Sequence, residues 1–371
     1  MSGRVPACWV IGNPENRRIA LFQEALQQAG LQPAHVIPYL ALFDEGFALL
    51  DRVVPGSMLR IESPGENFEV EKRILALGGV TGAMQLEDEL GRIHHPGAWY
   101  AGFSRLMEMV LQRVRDVVWY NHPTDILTMF DKPRCKALLA PHTLASCPDF
   151  ATYAEFFAYA TQQVRPRFFI KLNYSSSASG IVAYEYNRAR SEALAYSTVE
   201  VTESAQGRQY FNSLKIRKYR DHQTIRGILD FLFAQGALVE PWIPKATHDE
   251  AGYDLRVLAI AGRRQHTIAR LSHGPMTNLH LGNQRCAVEE LALPDSIWGQ
   301  IDILVAESMQ RFPRSLYAGL DVLLPRSGGA PVLLEANAFG DLLPNLQHEG
   351  RSTYLAEIVA LCEREGIAHA A

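Results

Sequence analysis

Two carboxylates and one amide near the end of the chain have the spacing of a divalent-cation site. Leu324 and Val332 bracket a connection rich in glycine and proline, which predicts a β-hairpin. If these two residues pair, Asp321 lies directly opposite Glu335, and Asn337 lies on the same face. Opposed carboxylates among apolar neighbours repel each other and resist burial, and Mg²⁺ relieves both effects because hard cations prefer oxygen ligands. The spacing indicates a metal site or a solvent-facing polar side of an edge hairpin, and it favours neither.

A lysine followed by small residues forms a second candidate, with the chemistry of a phosphate site. Lys171 ends a predicted strand, and residues 175–180 read Ser-Ser-Ser-Ala-Ser-Gly before the chain returns as another strand. Residues without bulk let backbone N–H groups approach phosphate oxygens closely, and the lysine adds a positive charge. The alternative is a flexible serine-rich loop beside a surface lysine, and the pattern by itself favours this alternative.

A third candidate begins at Glu240, where a strand runs into a linker bounded by prolines. Such a segment, Glu240-Pro241-Trp242-Ile243, can offer free backbone donors and acceptors to a flat base. Asp254 and Arg256 follow with the alternation of a strand face. The carboxylate suits sugar hydroxyls, and the guanidinium binds phosphate or carboxylate in a bidentate manner. Taken separately, an exposed ion-pair face is the simpler interpretation.

The elements that must position these residues alternate between strands and helices. A strand at 8–11, a helix around 19–29 and a strand at 36–37 predict an α/β layer that ends near residue 125. The first strand–helix turn carries neither the glycine fingerprint of a dinucleotide site nor that of a P-loop. A helical stretch through residues 130–132 follows. The later predicted elements are strands 168–171 and 181–184, helix 222–235, strand 237–243, strands 253–261 and 264–272, helix 295–311, and strands 316–324 and 331–336.

Length and composition limit the function classes. The chain has 371 residues, of which 47% are hydrophobic and 20% charged, and its net charge is −4. These values predict two or three globular domains and no general attraction to nucleic acid or to a membrane surface. The N-terminus lacks the apolar core of a secretory signal, and no apolar run is long enough to span a bilayer. Five scattered cysteines predict reduced thiols, without a disulfide framework or structural zinc, so we expect a cytoplasmic protein that is compatible with a homo-oligomer.

A basic run with interleaved aromatic residues needs a separate interpretation. Lys215, Arg217, Lys218 and Arg220 could form a strip for nucleic acid, but a solvated strand face near a nucleotide cleft is the favoured interpretation. The adjacent pair His94-His95 has no acid or cysteine at a useful spacing, so a surface loop is favoured over a metal site.

In their order along the chain, these motifs resemble the ATP-grasp superfamily over residues 126–345. The motifs that carry the resemblance are Phe130-Asp131-Lys132, Phe169-Ile170-Lys171 with the small-residue loop, Glu240-Pro241-Trp242-Ile243, Asp254-Leu255-Arg256, Asp321 and Glu335-Ala336-Asn337. A segment from Ile268-Ala269-Arg270 through residues 277–282, Thr-Asn-Leu-His-Leu-Gly, resembles the N-L-H-x-G stretch of RimK-type glutamate ligases. A related stretch occurs in glutathione synthetase.

The resemblance implies an α/β fold in which an ATP-grasp module follows a Rossmann-like pre-ATP-grasp domain. The leading domain would occupy residues 1–125, the ATP-grasp N-lobe residues 126–238, and the C-lobe with the metal site residues 239–371. For ATP, the resemblance implies contacts of the phosphates with Lys132 and Lys171, and of the covering loop with Ser175, Ser176, Ser177 and Gly180. It implies contacts of adenine with Glu240, Trp242 and Ile243, and of the ribose with Asp254.

The same resemblance implies the remaining roles and the reaction. Asp321, Glu335 and Asn337 would hold one or two Mg²⁺ ions, for which Mn²⁺ can substitute. Arg256 and Arg270 would stabilise the transferred phosphoryl group or anchor the acid substrate. The residues Asn278, His280 and Gly282 would bind the second substrate.

The implied reaction is an ATP- and Mg²⁺-dependent ligation of a carboxylate to an amine through an acylphosphate. The substrates would be an amino acid, a peptide or another small metabolite. Gly282 precedes Asn283 where a second glycine is common in relatives, so the identity of the substrates does not carry over. The alternatives are an ATP-grasp kinase or phosphotransferase, which stops at a phosphorylated product, and a binding protein with a degenerate site.

Overall fold

Three β-sheets organise the computed structural model, which describes residues 6–89, 91–175, 178–204, 207–340 and 343–371. The leading layer contains a four-stranded parallel sheet in the order β2-β1-β3-β4. Strands β1 and β3 are buried throughout, as expected for the central strands of a sheet covered by helices, whereas β2 and β4 at its edges are only partly buried. Its elements are β1 (Cys8–Gly12), α1 (Arg17–Gln28), β2 (His35–Pro38), α2 (Tyr39–Asp44), β3 (Met58–Ile61), α3 (Phe68–Leu77), α4 (Pro96–Arg113) and β4 (Val118–Trp119).

Two short helices connect the leading layer to the next lobe, where the sequence predicted one helical stretch. Helix α5 (Pro123–Phe130) ends at Asp131, which is extended and caps α6 (Lys132–Leu138) by accepting a hydrogen bond from the Arg134 N–H at 3.0 Å. The expectation of a continuous helix through residues 130–132 was therefore wrong, because an aspartate is a preferred N-cap. This break places Lys132 in the first turn of α6.

The middle lobe is an antiparallel sheet in the order β8-β7-β6-β5-β9, with two helices. It has an apolar core of its own. The sequence predicted β5, β6, α8 and β9, and it favoured a strand face from Lys215 to Arg220, where β8 ends. It missed α7, β7 and the first part of β8. The elements are α7 (Tyr153–Gln162), β5 (Arg167–Leu172), β6 (Ile181–Asn187), β7 (Glu192–Ser204), β8 (Gly207–Tyr219), α8 (His222–Ala234) and β9 (Ala237–Pro241).

The last part of the chain, which we call the C-lobe, forms a second antiparallel sheet in the order β13-β12-β11-β14-β15, and β10 pairs with β11. Helices α9 and α10 follow β13 and β15 in the chain. The elements are β10 (Thr247–His248), β11 (Ala251–Ile260), β12 (Arg263–Ser272), β13 (Gln284–Cys286), α9 (Asp295–Gln310), β14 (Tyr317–Leu323), β15 (Val332–Asn337) and α10 (Thr353–Glu365).

The leading layer and the C-lobe share their apolar cores. Phe103 and Ile126 pack in the same buried cluster as Leu255 and Leu320, although more than a hundred residues separate the two pairs. The expected boundary at 125/126 lies inside α5, and the one at 238/239 lies inside β9. The division into three parts therefore remains a prediction.

A buried ion cluster adds to this contact between the leading layer and the C-lobe. Arg60 on β3 is 1% exposed, and its guanidinium lies 2.6 Å from Glu62 and 2.6 Å from Glu357 on α10. Aromatic rings surround it, among them Tyr317 and Tyr354, whose centroids lie 4.8 and 4.7 Å away. Cation–π contacts of this kind gain strength when they are desolvated. The cluster ties β3, β14 and α10 together.

Candidate functional site

A cavity of about 720 Å³ lies where the leading layer and the two lobes meet. Its wall combines the loop before α1, strands of both lobes and the turn between β12 and β13. Most of the residues that the sequence singled out line this cavity. They are Lys132, Lys171, Ser175, Glu240, Ile243, Asp254, Arg256, Arg270, Asn278, His280, Asp321, Glu335 and Asn337.

Two lysines share one buried carboxylate at the end of the cavity formed by the middle lobe. Nζ of Lys171 lies 2.7 Å from Oε2 of Glu240, and Lys136 donates a hydrogen bond to Oε1. Burial disfavours the charged carboxylate, but the two lysines outweigh it and hold the pKa of Glu240 below its usual value. Burial lowers the pKa of Lys136, whereas Glu240 outweighs burial at Lys171 and raises its pKa.

Lys132 connects the small-residue loop after β5 to the hairpin of β14 and β15. Its Nζ donates to the backbone oxygen of Ser175 and lies 3.5 Å from Oε1 of Glu335. Helix α6 thus brings one lysine, Lys132, to the cavity and a second, Lys136, one turn further on, to an adjoining small pocket beside Glu240. The sequence predicted the first lysine and missed the second, although the spacing of four residues on a helix placed both on one face.

A β-bulge sets the opposition of the two predicted metal ligands. Asp321 pairs directly with Glu335, as the sequence predicted, but the predicted pairing of Leu324 with Val332 is wrong because Val332 pairs with Leu323. The register shifts between Asp321 and Val322, and Leu334 is the extra residue on β15. Bulges re-aim side chains and occur beside active sites. Without this extra residue, Asp321 would face the apolar Leu334.

The donor set on this hairpin fits a hard divalent cation. Oδ1 of Asp321 is buried and accepts no hydrogen bond from the described residues, although Nε of Arg256 lies 3.0 Å away. The Nδ2 of Asn337 donates to the Gly319 carbonyl at 3.2 Å, which leaves its amide oxygen for a ligand. Two carboxylates and an amide oxygen are the donors that Mg²⁺ prefers. Asp321, Glu335 and Asn337 therefore have the chemistry to hold the ion.

The electrostatic surroundings of the two carboxylates differ. Burial raises the pKa of Asp321, and the arginines Arg256 and Arg270 oppose this effect. Burial also acts on Glu335, but Lys132 and Lys171 outweigh it and lower the pKa of its carboxyl. Like charges on opposite strands repel each other, and a bound cation would relieve that repulsion.

The two predicted catalytic arginines are fixed by carboxylates. Register places Asp254 opposite Arg270 and Arg256 opposite Asp321. Nε of Arg270 donates to Oδ1 of Asp254 at 2.8 Å, and its Nη2 lies 3.0 Å from Oδ2 of Asp321. Arg270 therefore bridges the carboxylate predicted at the ribose and the one predicted at the metal. This bridging fixes the guanidinium in the cavity wall.

Asp254 is 1% exposed and already has three donors. Besides Arg270, Lys245 donates to its Oδ2 at 2.8 Å and Thr277 donates to the same oxygen. Burial disfavours the charged form, but Arg270 and Lys245 hold the pKa of Asp254 far below its usual value. Three of about four acceptor positions are thus occupied within the protein. This arrangement suits orientation of Arg270, and the contact with ribose remains a prediction.

Sequence reasoning missed Lys245, and it quoted Thr277 only as the first residue of the 277–282 stretch, without a role. Lys245 lies between β9 and β10, and its Nζ also donates to Oγ1 of Thr277 at 2.6 Å. Neither residue carries a motif on its own. Pro241 and Pro244 indicated a linker just before Lys245. They did not indicate that the side chain of Lys245 lines the cavity.

The turn between β12 and β13 carries the predicted second-substrate residues. The Asn278 side chain accepts a hydrogen bond from the His280 N–H at 2.9 Å, which caps the 3₁₀ turn Leu279–Leu281. Asn278 and His280 line the cavity, whereas Gly282 ends the turn with φ +79° and is not among the lining residues. The glycine therefore shapes the turn, and the side chains of Asn278 and His280 face the cavity.

The remaining predicted nucleotide contacts divide between the cavity wall and its support. Ile243 lines the cavity, but Trp242 does not and instead lies against Phe169, with ring centroids 5.5 Å apart. Gly180 has φ +65° and lies against Leu172 where a side chain has no room. Ser176 and Ser177 lie outside the described residues. Trp242 and Gly180 thus lie behind the residues that line the cavity, and this geometry disfavours direct contact of either residue with a nucleotide.

The site as a whole carries an excess of positive charge. Six cations and four carboxylates form its ion pairs, and a Mg²⁺-bound triphosphate, with about two net negative charges, would balance the difference. The cations are Lys132, Lys136, Lys171, Lys245, Arg256 and Arg270, and the carboxylates are Glu240, Asp254, Asp321 and Glu335.

Known structures share this architecture. No protein-family model matches the sequence, and no curated protein is detectably similar. The D-cycloserine synthetase DcsG is similar with a TM-score of 0.57 and 15% identity, over 96% of this chain and 99% of that chain. The macrocyclase MdnC from Microcystis aeruginosa MRC, bound with the precursor peptide MdnA, is similar with a TM-score of 0.55 and 12% identity, over 95% and 98%.

A third similar structure contains nucleotide and metal. The ATP-grasp ligase PsnB, complexed with a phosphomimetic variant of its minimal precursor, Mg and ADP, has a TM-score of 0.53 and 13% identity, over 98% of this chain and 100% of that chain. The chain described here therefore has the ATP-grasp fold that its motifs predicted. Among its described residues, no helix is long and apolar enough to cross a membrane.

Proposed function

We propose that this chain is an ATP- and Mg²⁺-dependent ligase that joins a carboxylate to an amine and releases ADP. The observation that carries the proposal is the opposed pair Asp321 and Glu335, with Asn337 beside it, in the same cavity as Lys132 and Lys171. This combination suits a metal-bound triphosphate. The fold supports the proposal because the similar structures include the ATP-grasp ligase PsnB, the D-cycloserine synthetase DcsG and the macrocyclase MdnC.

The proposed chemistry needs charge and position more than covalent work by the protein. A substrate carboxylate attacks the γ-phosphorus, ADP leaves, and an amine then displaces phosphate from the acylphosphate to give an amide. Asp321, Glu335 and Asn337 would hold Mg²⁺, which would neutralise charge on the phosphoryl group. The lysines Lys132 and Lys171 would bind phosphate oxygens as point charges.

The arginines have the fixed orientation that phosphoryl transfer requires. Arg270 is held by Asp254 and Asp321, and Arg256 by Asp321, so neither side chain has to reorganise when charge develops on the transferring group. Their predicted catalytic role therefore rests on preorganisation. The same reasoning makes Asp254 and Lys245 positioning residues, because they act through Arg270.

We further infer that the acceptor end of the cavity lies between the leading layer and the turn after β12. Asn16 and Arg18 of the leading layer line the cavity, and so do Asn278 and His280 of the turn. Arg18 donates to the carbonyl of Phe339 at 3.1 Å, which fixes it next to the metal-binding hairpin. Both small metabolites and peptides are compatible with a cavity of this size, and the neighbours MdnC and PsnB are structures bound with precursor peptides.

The deciding experiment is a screen for ADP release by the purified chain with ATP, Mg²⁺ and pooled carboxylic acids and amines, followed by mass spectrometry of the product. Hydroxylamine as the amine should trap an acylphosphate as a hydroxamate. We expect Asp321→Asn to abolish Mg²⁺-dependent ADP release. Asp302→Asn is the matched control, because Asp302 is an exposed carboxylate that pairs with Arg264 on the surface of the C-lobe.

The outcomes separate the ligase from the other functions. ADP release that needs both an acid and an amine supports it. A phosphorylated product that resists hydroxylamine would instead identify a kinase or phosphotransferase. Failure to bind Mg·ATP, or binding that is equally tight in the Asp321→Asn variant, would contradict the proposal and favour a binding protein.

A further inference from the structure

A second set of metal-binding side chains lies on the C-lobe outside the cavity. The ligand atoms of His248, Cys286 and Glu290 all lie within 4.8 Å of one another. His248 ends β10, Cys286 ends β13, and Glu290 belongs to the 3₁₀ turn Val288–Leu291. Three separate elements thus bring an imidazole, a thiol and a carboxylate to one point, and none of the three lines the cavity of the proposed active site.

The ligand types point to zinc rather than magnesium. Zn²⁺ is bound in proteins by imidazole, thiolate and carboxylate, with tetrahedral geometry and bonds of about 2.0–2.3 Å. In such a tetrahedron the ligand atoms lie about 3.3–3.8 Å apart, so the present cluster has to contract by at most about 1–1.5 Å. The side chains of the exposed Glu290 and the half-buried His248 would rotate to provide this movement, while the buried Cys286 stays in place. Glu290 would then give up the hydrogen bond that its Oε1 accepts from the Ala287 N–H at 3.2 Å.

One further carboxylate lies next to His248, outside the group of three. The carboxylate of Asp249 lies 3.6 Å from Nε2 of His248, and the side chain of Asp249 is 91% exposed. Asp249 follows His248 in the tight turn that joins β10 to β11. Its carboxylate can therefore complete a closed four-coordinate site, which is the coordination of structural rather than catalytic zinc.

The surroundings of the cluster are negatively charged. The carboxylates of Glu290, Asp249 and Glu289 lie near the Cys286 thiol. Among the described residues, neither Glu290 nor Glu289 forms an ion pair and Asp249 pairs with His248, so no lysine or arginine pairs with this negative charge. A divalent cation would balance it, and the thiol would release its proton to solvent when it binds the metal.

We propose that His248, Cys286 and Glu290, with Asp249 as the fourth ligand, form a structural Zn²⁺ site that clamps β10 to β13. The sequence pointed away from zinc because it has no paired cysteines, and a mixed set from three elements leaves no spacing motif. Lys245 precedes β10 and Arg285 lies on β13, and both residues line the cavity. The clamp would therefore hold two parts of the cavity wall in register.

The test uses the full chain, freed of metal by a chelator and kept in excess Mg²⁺ so that the hard-cation site is saturated. Titration with Co²⁺ should give a near-ultraviolet sulfur-to-cobalt charge-transfer band that saturates at one equivalent and disappears when Zn²⁺ is added. Cys286→Ser should abolish the band, and His248→Asn or Glu290→Gln should weaken Zn²⁺ binding by at least about tenfold. Cys147→Ser, at a half-buried cysteine of the middle lobe, is the matched control and should change neither.

Two further variants keep the test decisive. Glu290 is exposed, so Glu290→Gln should fold normally even if Cys286→Ser does not. Asp321→Asn should leave the cobalt band unchanged, because the two metal sites are separate. A cobalt spectrum without the sulfur band, a band that persists in Cys286→Ser, or Zn²⁺ binding that is unchanged in Glu290→Gln would overturn the proposal and indicate adventitious metal only.

Discussion

Replacing Glu357 by glutamine tests the buried ion cluster that joins the leading layer to the last helix. Arg60 has two carboxylate partners, Glu62 and Glu357, and all three side chains are almost fully buried. A second cation, Arg18, lies 3.9 Å from Glu62 at the edge of the cluster. Burial raises the pKa of Glu357 from 4.5 to about 7, even though Arg60 and Arg18 oppose the shift.

The direction of the pH effect follows from this shift. The folded protein holds the Glu357 proton more tightly than the unfolded chain does, so this carboxyl stabilises the fold below about pH 4.5, and the stabilisation is lost as the pH rises through about 7. The shift corresponds to about 3 kcal/mol in total. Between about pH 5 and pH 8.5, most of this amount, about 2–3 kcal/mol, should be lost.

The assay compares urea unfolding of the wild type and the Glu357→Gln variant at several pH values, followed by circular dichroism. Glutamine still accepts from Arg60 but does not titrate, so the difference between the two proteins isolates this carboxyl. We expect the wild type to lose about 2–3 kcal/mol relative to the variant between the two pH limits. Glu363→Gln, at an exposed position of the same helix, should run parallel to the wild type. A wild type and a Glu357→Gln variant with parallel profiles would refute the reasoning.

Three further predictions concern the cavity. Asp321→Asn and Glu335→Gln should each lower kcat/KM by roughly 100-fold or more, because each removes a charged ligand of the proposed metal site. Steady-state ADP release at several Mg²⁺ concentrations checks this. Activity that stays independent of Mg²⁺ would contradict the metal assignment. Lys136→Met should raise KM for ATP several-fold and change kcat much less, because Glu240 would then form an ion pair with Lys171 alone. A KM equal to that of the wild type would contradict this positioning role. Gly180→Ala should destabilise the protein by about 1–2 kcal/mol because the backbone of residue 180 is left-handed, and by a further amount because the new methyl group would contact the buried Leu172. Thermal unfolding measures this loss. An unchanged unfolding midpoint would show that the loop adapts.

Local sequence was enough for the parts of the site that a single hairpin or motif carries. The connection between β14 and β15 predicted that Asp321 faces Glu335, and the structure confirms this pairing. The prediction of the hairpin tip failed, because a bulge at Leu334 moves the register by one residue there. A bulge is decided by packing on both strands, so the turn residues alone do not reveal it.

Alternating patterns predicted the strands but not their ion pairs. Asp254 and Arg270 lie on neighbouring strands of one hairpin, so their pairing follows from a short-range register. Lys136 and Glu240 are 104 residues apart, and nothing in either segment indicates the other. Such a pair exists only because α6 is placed against the middle sheet.

The sequence by itself determined the order of the motifs, the types of most elements, and the candidate residues for phosphate and Mg²⁺. These properties depend on local periodicity and on the chemistry of single side chains. Only the tertiary structure decided which charges neutralise one another, because Coulomb interactions and burial act through space. It joined Arg60 to Glu357 across 297 residues and brought His248 to Cys286. Both contacts arise where separate elements meet, and no local pattern encodes such a meeting.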